Sequence, residues 1–307
     1  MAIVGVLLLG WALLAPVAAA TSSPGSPLRV TVTIPPLVWL VSSVAGPDVE
    51  VAALVDAGES PETFQPTDRQ VTDAARSEIF FRVGVTSEQG NWLQFLERRE
   101  RPRVVDLREG VALRAMAAGH GRHHAADDPG RAQHFGSEDH GLDPHIWLSP
   151  QRLEIMAGTI AAALAEVLPG RKAVYDRNAA AVRSELRRLD EELRTALAPV
   201  RGRTFFVVHP AWGYFAHDYG LRQVAFEAEG QAPSEAELSE LVRKGRRLGI
   251  RTLFVQPQTR SSAPASLARA LGARLETLDP LAVDLPENLR RAGESLRVAL
   301  APNENGP

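Results

Sequence analysis

From about Arg171 to Leu197 the chain places Val174, Ala181, Val182, Leu186, Leu189, Leu193 and Leu197 at helical spacings of three and four, while Arg183, Glu185, Arg187 and Glu191 fill the opposite side. That period predicts one amphipathic α-helix. At 1.5 Å per residue it would run roughly 40 Å, more than the width of one small lobe. A helix of this length restricts what can surround it, and it predicts a spine between two bodies. With 307 residues the chain is long enough for two medium units, each with its own core.

Both flanks of the predicted spine carry short β-branched runs alternating with helical stretches. Before it come the strands "LRVTVTIPPL", running into a turn, and "DVEVAALVDAG", stopped by Gly58. A short helix and a buried strand follow in "DRQVTDAARSEIFFRVGV", then the strand "PRVVDL", then a helix from Gln151 to Leu168. After the spine come the strand "RTFFVVHP", the helix "AWGYFAHDYG" and the strand "RQVAFEA". The helix "SEAELSELVRKGRRLG" has Ser234 as N-cap, with Glu237 closing a capping box. The strand "IRTLFVQP", the helix "SAPASLARALG" and the strand "ARLETLDP" complete the pattern. Alternation of this kind predicts βαβ units. The expected fold is α/β with two lobes, each a mainly parallel sheet flanked by helices, joined by one long rigid α-helix. The lobes would be residues 21–168 and 201–307, and the linking helix 169–200.

The first twenty residues, "MAIVGVLLLGWALLAPVAAA", contain no charged side chain and end in Ala18-Ala19-Ala20. They read as a secretory signal peptide cleaved near Ala20, which predicts a periplasmic protein. An uncleaved anchor is the alternative, since the apolar run approaches spanning length. The chain has no cysteine. Disulfides, thiolate ligands and lipid attachment at a cysteine are therefore excluded, and any metal must be held by nitrogen and oxygen. A net charge of −3 with no basic stripe argues against a nucleic-acid partner.

Six of the eight histidines lie between positions 120 and 145. Residues 117–141 have neither a helical nor a strand period, so they form a long loop, either functional or disordered. His120, His123, His124, His134 and His140 sit there among Gly, Ala and Asp, as candidates for low-affinity metal capture or as a solvated insert. Four other residues follow predicted strands or the loop's exit, where α/β folds site their ligands: Glu62, His145, His209 and Asp279. Singly, each has an ordinary reading as a core histidine, turn residue or surface carboxylate, and Trp212 and Tyr214 read as core. Together, two imidazoles and two carboxylates from both halves suit a divalent cation such as zinc, manganese or iron(II) in an interlobe cleft.

"SPETFQPT", "DPHIWLSP", "VVHPAWGYFAHDYGL" and "LDPL" resemble, in order and spacing, the metal-ligand segments of the cluster A-I (cluster 9) solute-binding proteins of ABC transporters. The resemblance, to the zinc-uptake type, covers nearly the whole chain beyond the leader. It implies two α/β lobes, a rigid helix between them and one metal in the cleft, held at Glu62, His145, His209 and Asp279. Two positions depart from the family pattern: Glu62 stands where histidine is usual, and Gln256-Pro257-Gln258 stands where "EPQ" is usual. Zinc-type members generally supply three histidines, and manganese-type members two histidines with two carboxylates. The histidine-rich loop favours zinc, with manganese or iron as the alternative.

The function so implied is extracytoplasmic capture of a divalent cation by a monomer and its delivery to an inner-membrane permease, without enzymatic activity. A surface adhesin on the same scaffold is one rival. A zinc hydrolase with Glu62 as general base is another, although no separate acid or oxyanion donor is evident. Neutral imidazole is the ligand form, so binding should weaken as pH falls through about 6.5.

Overall fold

The computed structural model of the chain describes residues 27–116, 141–226 and 234–301. The leader and the five histidines from His120 to His140 lie outside the described residues. The first lobe runs β1 (Leu28–Val32), α1 (Pro36–Ala45), β2 (Val49–Ala53), α2 (Asp68–Ala74), β3 (Ile79–Arg82), α3 (Asn91–Glu97) and β4 (Arg103–Asp106). Two consecutive helices, α4 (Pro150–Val167) and α5 (Lys172–Leu197), lead to the second lobe. There follow β5 (Thr204–Val207), α6 (Gly213–Asp218), β6 (Arg222–Ala225), α7 (Glu235–Arg247), β7 (Thr252–Val255), α8 (Ala263–Leu271), β8 (Arg274–Thr277) and α9 (Leu285–Leu300). The sheets have the orders β2-β1-β3-β4 and β6-β5-β7-β8, and every pairing is parallel. The fold is α/β with two lobes about a long helix, and the two lobes share one strand order.

Side-chain alternation along the central strands divides the cores. Ile79 and Phe81 of β3 join the main core, while Phe80 between them joins a smaller cluster with Leu54, Ala74, Leu93 and Leu96. In the same way Phe205 and Val207 of β5 face the main core, and Phe206 and Val208 face Leu241, Leu253 and Leu267 under α7 and α8. Each sheet thus has both faces covered, as an all-parallel sheet requires.

The main core is continuous from β1 and α1 through α4 and α5 to β5 and α9. On α5 the buried stripe is Tyr175, Ala179, Val182, Leu186, Leu189, Leu193 and Leu197. Ala181, expected on this stripe, is exposed, and Val174 is only half-buried. Tyr175 and Ala179 take those places, one position along in the first and two back in the second.

Three helices exceed the sequence reading. The turn expected after β1 is α1, whose Pro36 sits in the first turn where its missing N–H costs nothing. It buries Pro36, Leu37, Leu40, Val41, Val44 and Ala45, and its polar residues are confined to Ser42 and Ser43. The other two are α3 and α9, the latter capped by Asp284. The capping box at Ser234 and Glu237 forms as expected.

Candidate metal centre

Glu62, His145 and His209 bring one donor atom each to a common point, within 4.8 Å of one another. Glu62 lies in the loop leaving β2. That loop is turned by Thr63 N and Phe64 N donating to Ser60 O, and Ser87 N donates to Pro61 O at 3.0 Å. The segment carrying Ser87 is fixed by the buried Glu88, which accepts from Val83 N and Gly84 N at 2.9 and 2.6 Å.

His209 follows β5 in the turn before α6, with Ala211 N donating to His209 O. His145 follows no strand. An isolated antiparallel bridge, Ala115 with Leu142, closes the histidine-rich excursion, and His145 comes three residues later. Nor does it start the α-helix directly, because a 3-10 turn, Ile146–Leu148, intervenes and Ser149 caps α4.

The donor triangle has the dimensions of a small cation's coordination sphere. His145 Nε2 and His209 Nε2 are 3.2 Å apart, and Glu62 Oε1 lies 3.0 Å from His209 Nε2 and 3.7 Å from His145 Nε2. A point about 2 Å from all three atoms exists, which is the bond length of zinc to imidazole nitrogen and carboxylate oxygen. Both imidazoles are buried, at 2% and 7% exposure, while Glu62 is half-buried. The carboxylate is thus the most exposed of the three donors.

Around them is a set of orienting groups. Asp143 Oδ1 accepts from His145 Nδ1 at 2.7 Å and from His145 N at 3.0 Å. With the proton on Nδ1, the lone pair of Nε2 is aimed at the common point. Tyr214, expected to be simple packing, donates its hydroxyl to Asp143 O at 2.9 Å and accepts from Arg114 N at 3.1 Å. A Cβ on Gly213 would sit 2.5 Å from Asp143 Oδ2, so the first residue of α6 must be small for the carboxylate to fit. Ser60 Oγ donates to Glu62 Oε2, leaving Oε1 to face the imidazoles. Asp143 and Ser60 carry no signal of their own in the sequence, although each lies two residues from a candidate ligand.

Burial opposes charge on Glu62, yet hydrogen bonds and charge from His145 and His209 hold it far below the usual carboxylate range. For His145, burial favours the neutral ring, but the hydrogen bonds and charges of Asp143 and Glu62 push it up to about 9. His145 is therefore held as imidazolium beside the Glu62 carboxylate to higher pH than a free histidine, which moves the expected weakening of binding upward from pH 6.5.

Asp279 is not brought into the group of three. Its Oδ1 accepts from Leu281 N at 2.9 Å and Gln258 Nε2 at 3.3 Å, and its carbonyl accepts from Asn288 Nδ2 at 2.6 Å. It stays on the neighbouring segment, since Trp147, two residues past His145, donates Nε1 to Pro280 O at 2.7 Å.

A family model described as zinc-uptake complex component A, periplasmic, matches residues 30–292. A zinc-binding protein, AdcA, of Streptococcus pyogenes serotype M3 is 27% identical over 286 residues, which cover 90% of this chain and 54% of that protein. The chain spans about half the length of the curated relatives it matches first. Among solved structures, a crystal structure of ZnuA superposes with a TM-score of 0.78 at 32% identity, covering 90% of this chain and 100% of that one. A ZnuA deletion mutant with zinc bound superposes with a TM-score of 0.79 at 32% identity, covering 90% and 99%.

Proposed function

We propose, since this chain belongs to the family of the periplasmic component A of the zinc-uptake complex, that it is the extracytoplasmic substrate-binding component of a zinc ABC transporter. It captures one zinc ion in the interlobe cleft and hands it to a membrane permease. The observation that carries this reading is the convergence of Glu62 Oε1, His145 Nε2 and His209 Nε2 at cation-binding separations between the two lobes. Two nitrogens and one oxygen form a donor set that zinc accepts, and the ion is cargo rather than a catalyst. No helix among the described residues is long and apolar enough to cross a membrane. Export through a leader cleaved near Ala20, and action as a monomer, belong to the same reading.

Asp279 is the fourth donor in this reading, drawn from its contacts with Gln258 and Leu281 when the ion arrives. His120, His123, His124, His134 and His140 collect metal with low affinity in this reading. Removing residues 119–141 should leave one tight zinc site in calorimetry and abolish only weaker binding.

Elemental analysis and competitive titration of the purified protein test the assignment, with wild type beside Glu62→Ala, Glu62→His and Asp279→Ala. One zinc per chain is expected, with affinity lowered at least about tenfold by Glu62→Ala or Asp279→Ala. Unchanged affinity in Glu62→Ala would remove that residue from the ligand set.

A further inference from the structure

We propose that Ser60 sets the metal selectivity of this site by restricting Glu62 to a single donor oxygen. The inference rests on the reading of Glu62, His145 and His209 as ligands and goes beyond it to the choice among cations.

The two oxygens of Glu62 have different partners. Oε1 faces His209 Nε2 at 3.0 Å and His145 Nε2 at 3.7 Å, whereas Oε2 accepts the Ser60 hydroxyl. Turning Oε2 towards the common point breaks that hydrogen bond, one made to a charged acceptor and so among the stronger kind. The backbone that carries the hydroxyl is itself held in place. Ser60 O accepts from Thr63 N and Phe64 N at 3.1 and 2.9 Å, and the buried Pro61 between Ser60 and Glu62 accepts from Ser87 N. The turn therefore keeps hydroxyl and carboxylate on the same side.

Denticity decides coordination number. A one-oxygen Glu62 gives, with two imidazoles and Asp279 as the proposed fourth donor, an N2O2 set suited to four-coordinate zinc. A two-oxygen Glu62 adds a hard donor and a fifth bond, which suits manganese better. Histidine, usual in the family at position 62, has no such choice. A carboxylate there makes selectivity depend on what holds its second oxygen, and in this chain that group is Ser60.

The test uses the purified chain as wild type, Ser60→Ala and Ser60→Thr. Zn(II) and Mn(II) affinities are measured against a chromophoric chelator, and Co(II) is added as a spectroscopic probe. Ser60→Ala should lower the Zn(II)/Mn(II) affinity ratio about tenfold, the scale of one charged hydrogen bond. It should also weaken the visible Co(II) bands, as they weaken on going from four- to five-coordination. Ser60→Thr, which keeps the hydroxyl, should retain the wild-type ratio and spectrum. An unchanged ratio and spectrum in Ser60→Ala overturns the proposal, as does a loss of both affinities in equal proportion. If Ser60→Ala unfolds, Ser60→Gly supplies the second hydroxyl-free variant. A wild type without a stoichiometric zinc site overturns the transport reading as well. Tight zinc binding with an indifferent Ser60→Ala overturns only the role of Ser60.

Discussion

At the scale of single residues, the proposed site sets a proton and a metal ion in competition for His145. Burial favours the neutral ring, but Asp143 and Glu62 stabilise its imidazolium up to about pH 9, so on the proposed reading the ion has to displace that proton. Metal affinity should rise by about tenfold per pH unit below pH 9, with about one proton released per ion. Calorimetry in buffers of different ionisation enthalpy reads both quantities, and a pH-independent affinity would contradict them. The metal-free protein responds in the opposite sense. A raised histidine pKa contributes stability that is complete below about 6.5 and is lost as pH rises through about 9. The depressed Glu62 contributes stability above about 4.5 that fades on acidification. Gly213 offers a separate handle, because a Cβ there would lie 2.5 Å from Asp143 Oδ2. Gly213→Ala should displace the carboxylate and lower zinc affinity roughly 10–100-fold, the usual effect of disturbing an orienting partner. Titration alongside a thermal melt separates that effect from unfolding. The grouped residues Glu62, His145 and His209 were legible in the sequence because each belongs to a motif of distinctive composition. Ser60 and Asp143 were not, because a serine or aspartate in a turn looks alike whether it faces solvent or holds a ligand two residues away.

At the scale of elements, what could be read from the sequence follows from how each segment meets water. The helix α5 was visible because one face is apolar and the other charged. The strands β3 and β5 were visible as runs of bulky side chains, buried on both faces. By contrast α1 is apolar except for Ser42 and Ser43 and begins at Pro35-Pro36, which in a sequence punctuates rather than starts a helix. The stripe on α5 predicts where that helix is vulnerable. Leu186 and Leu189 are fully buried at its midpoint within the main core. Leu186→Ala should destabilise the chain by about 2–5 kcal/mol through a cavity that cannot collapse between packed helices. Chemical denaturation would show this as a lower midpoint with an unchanged slope. The exposed Ala181 is the control, and Ala181→Ser there should change stability by less than about 0.5 kcal/mol.

At the scale of the whole molecule, the continuous core makes the two lobes one mechanical body. The same cluster of buried side chains includes Val30 and Phe81 from the first sheet, Leu186 from the spine and Phe205 from the second sheet. Polar contacts reinforce it, for Asp218 on α6 accepts from Ser149 Oγ at 2.6 Å and Arg152 Nη1 at 2.8 Å at the start of α4. The Arg152 guanidinium also lies 4.5 Å over the ring of Tyr214, whose hydroxyl holds the loop of His145. A wide hinge closure would have to break this buried pair and shear α4 and α5, whereas pulling Asp279 towards the ion needs only a loop adjustment. Capture of zinc should therefore move the lobes little. The chain has no cysteine, so Phe95→Cys and Leu248→Cys, at positions 47% and 48% exposed on opposite lobes, can carry a unique pair of spin labels. The interlobe distance should change by less than about 2 Å on adding zinc, within the range of preformed sites. A shift well beyond that would mean that α5 is a hinge rather than a strut.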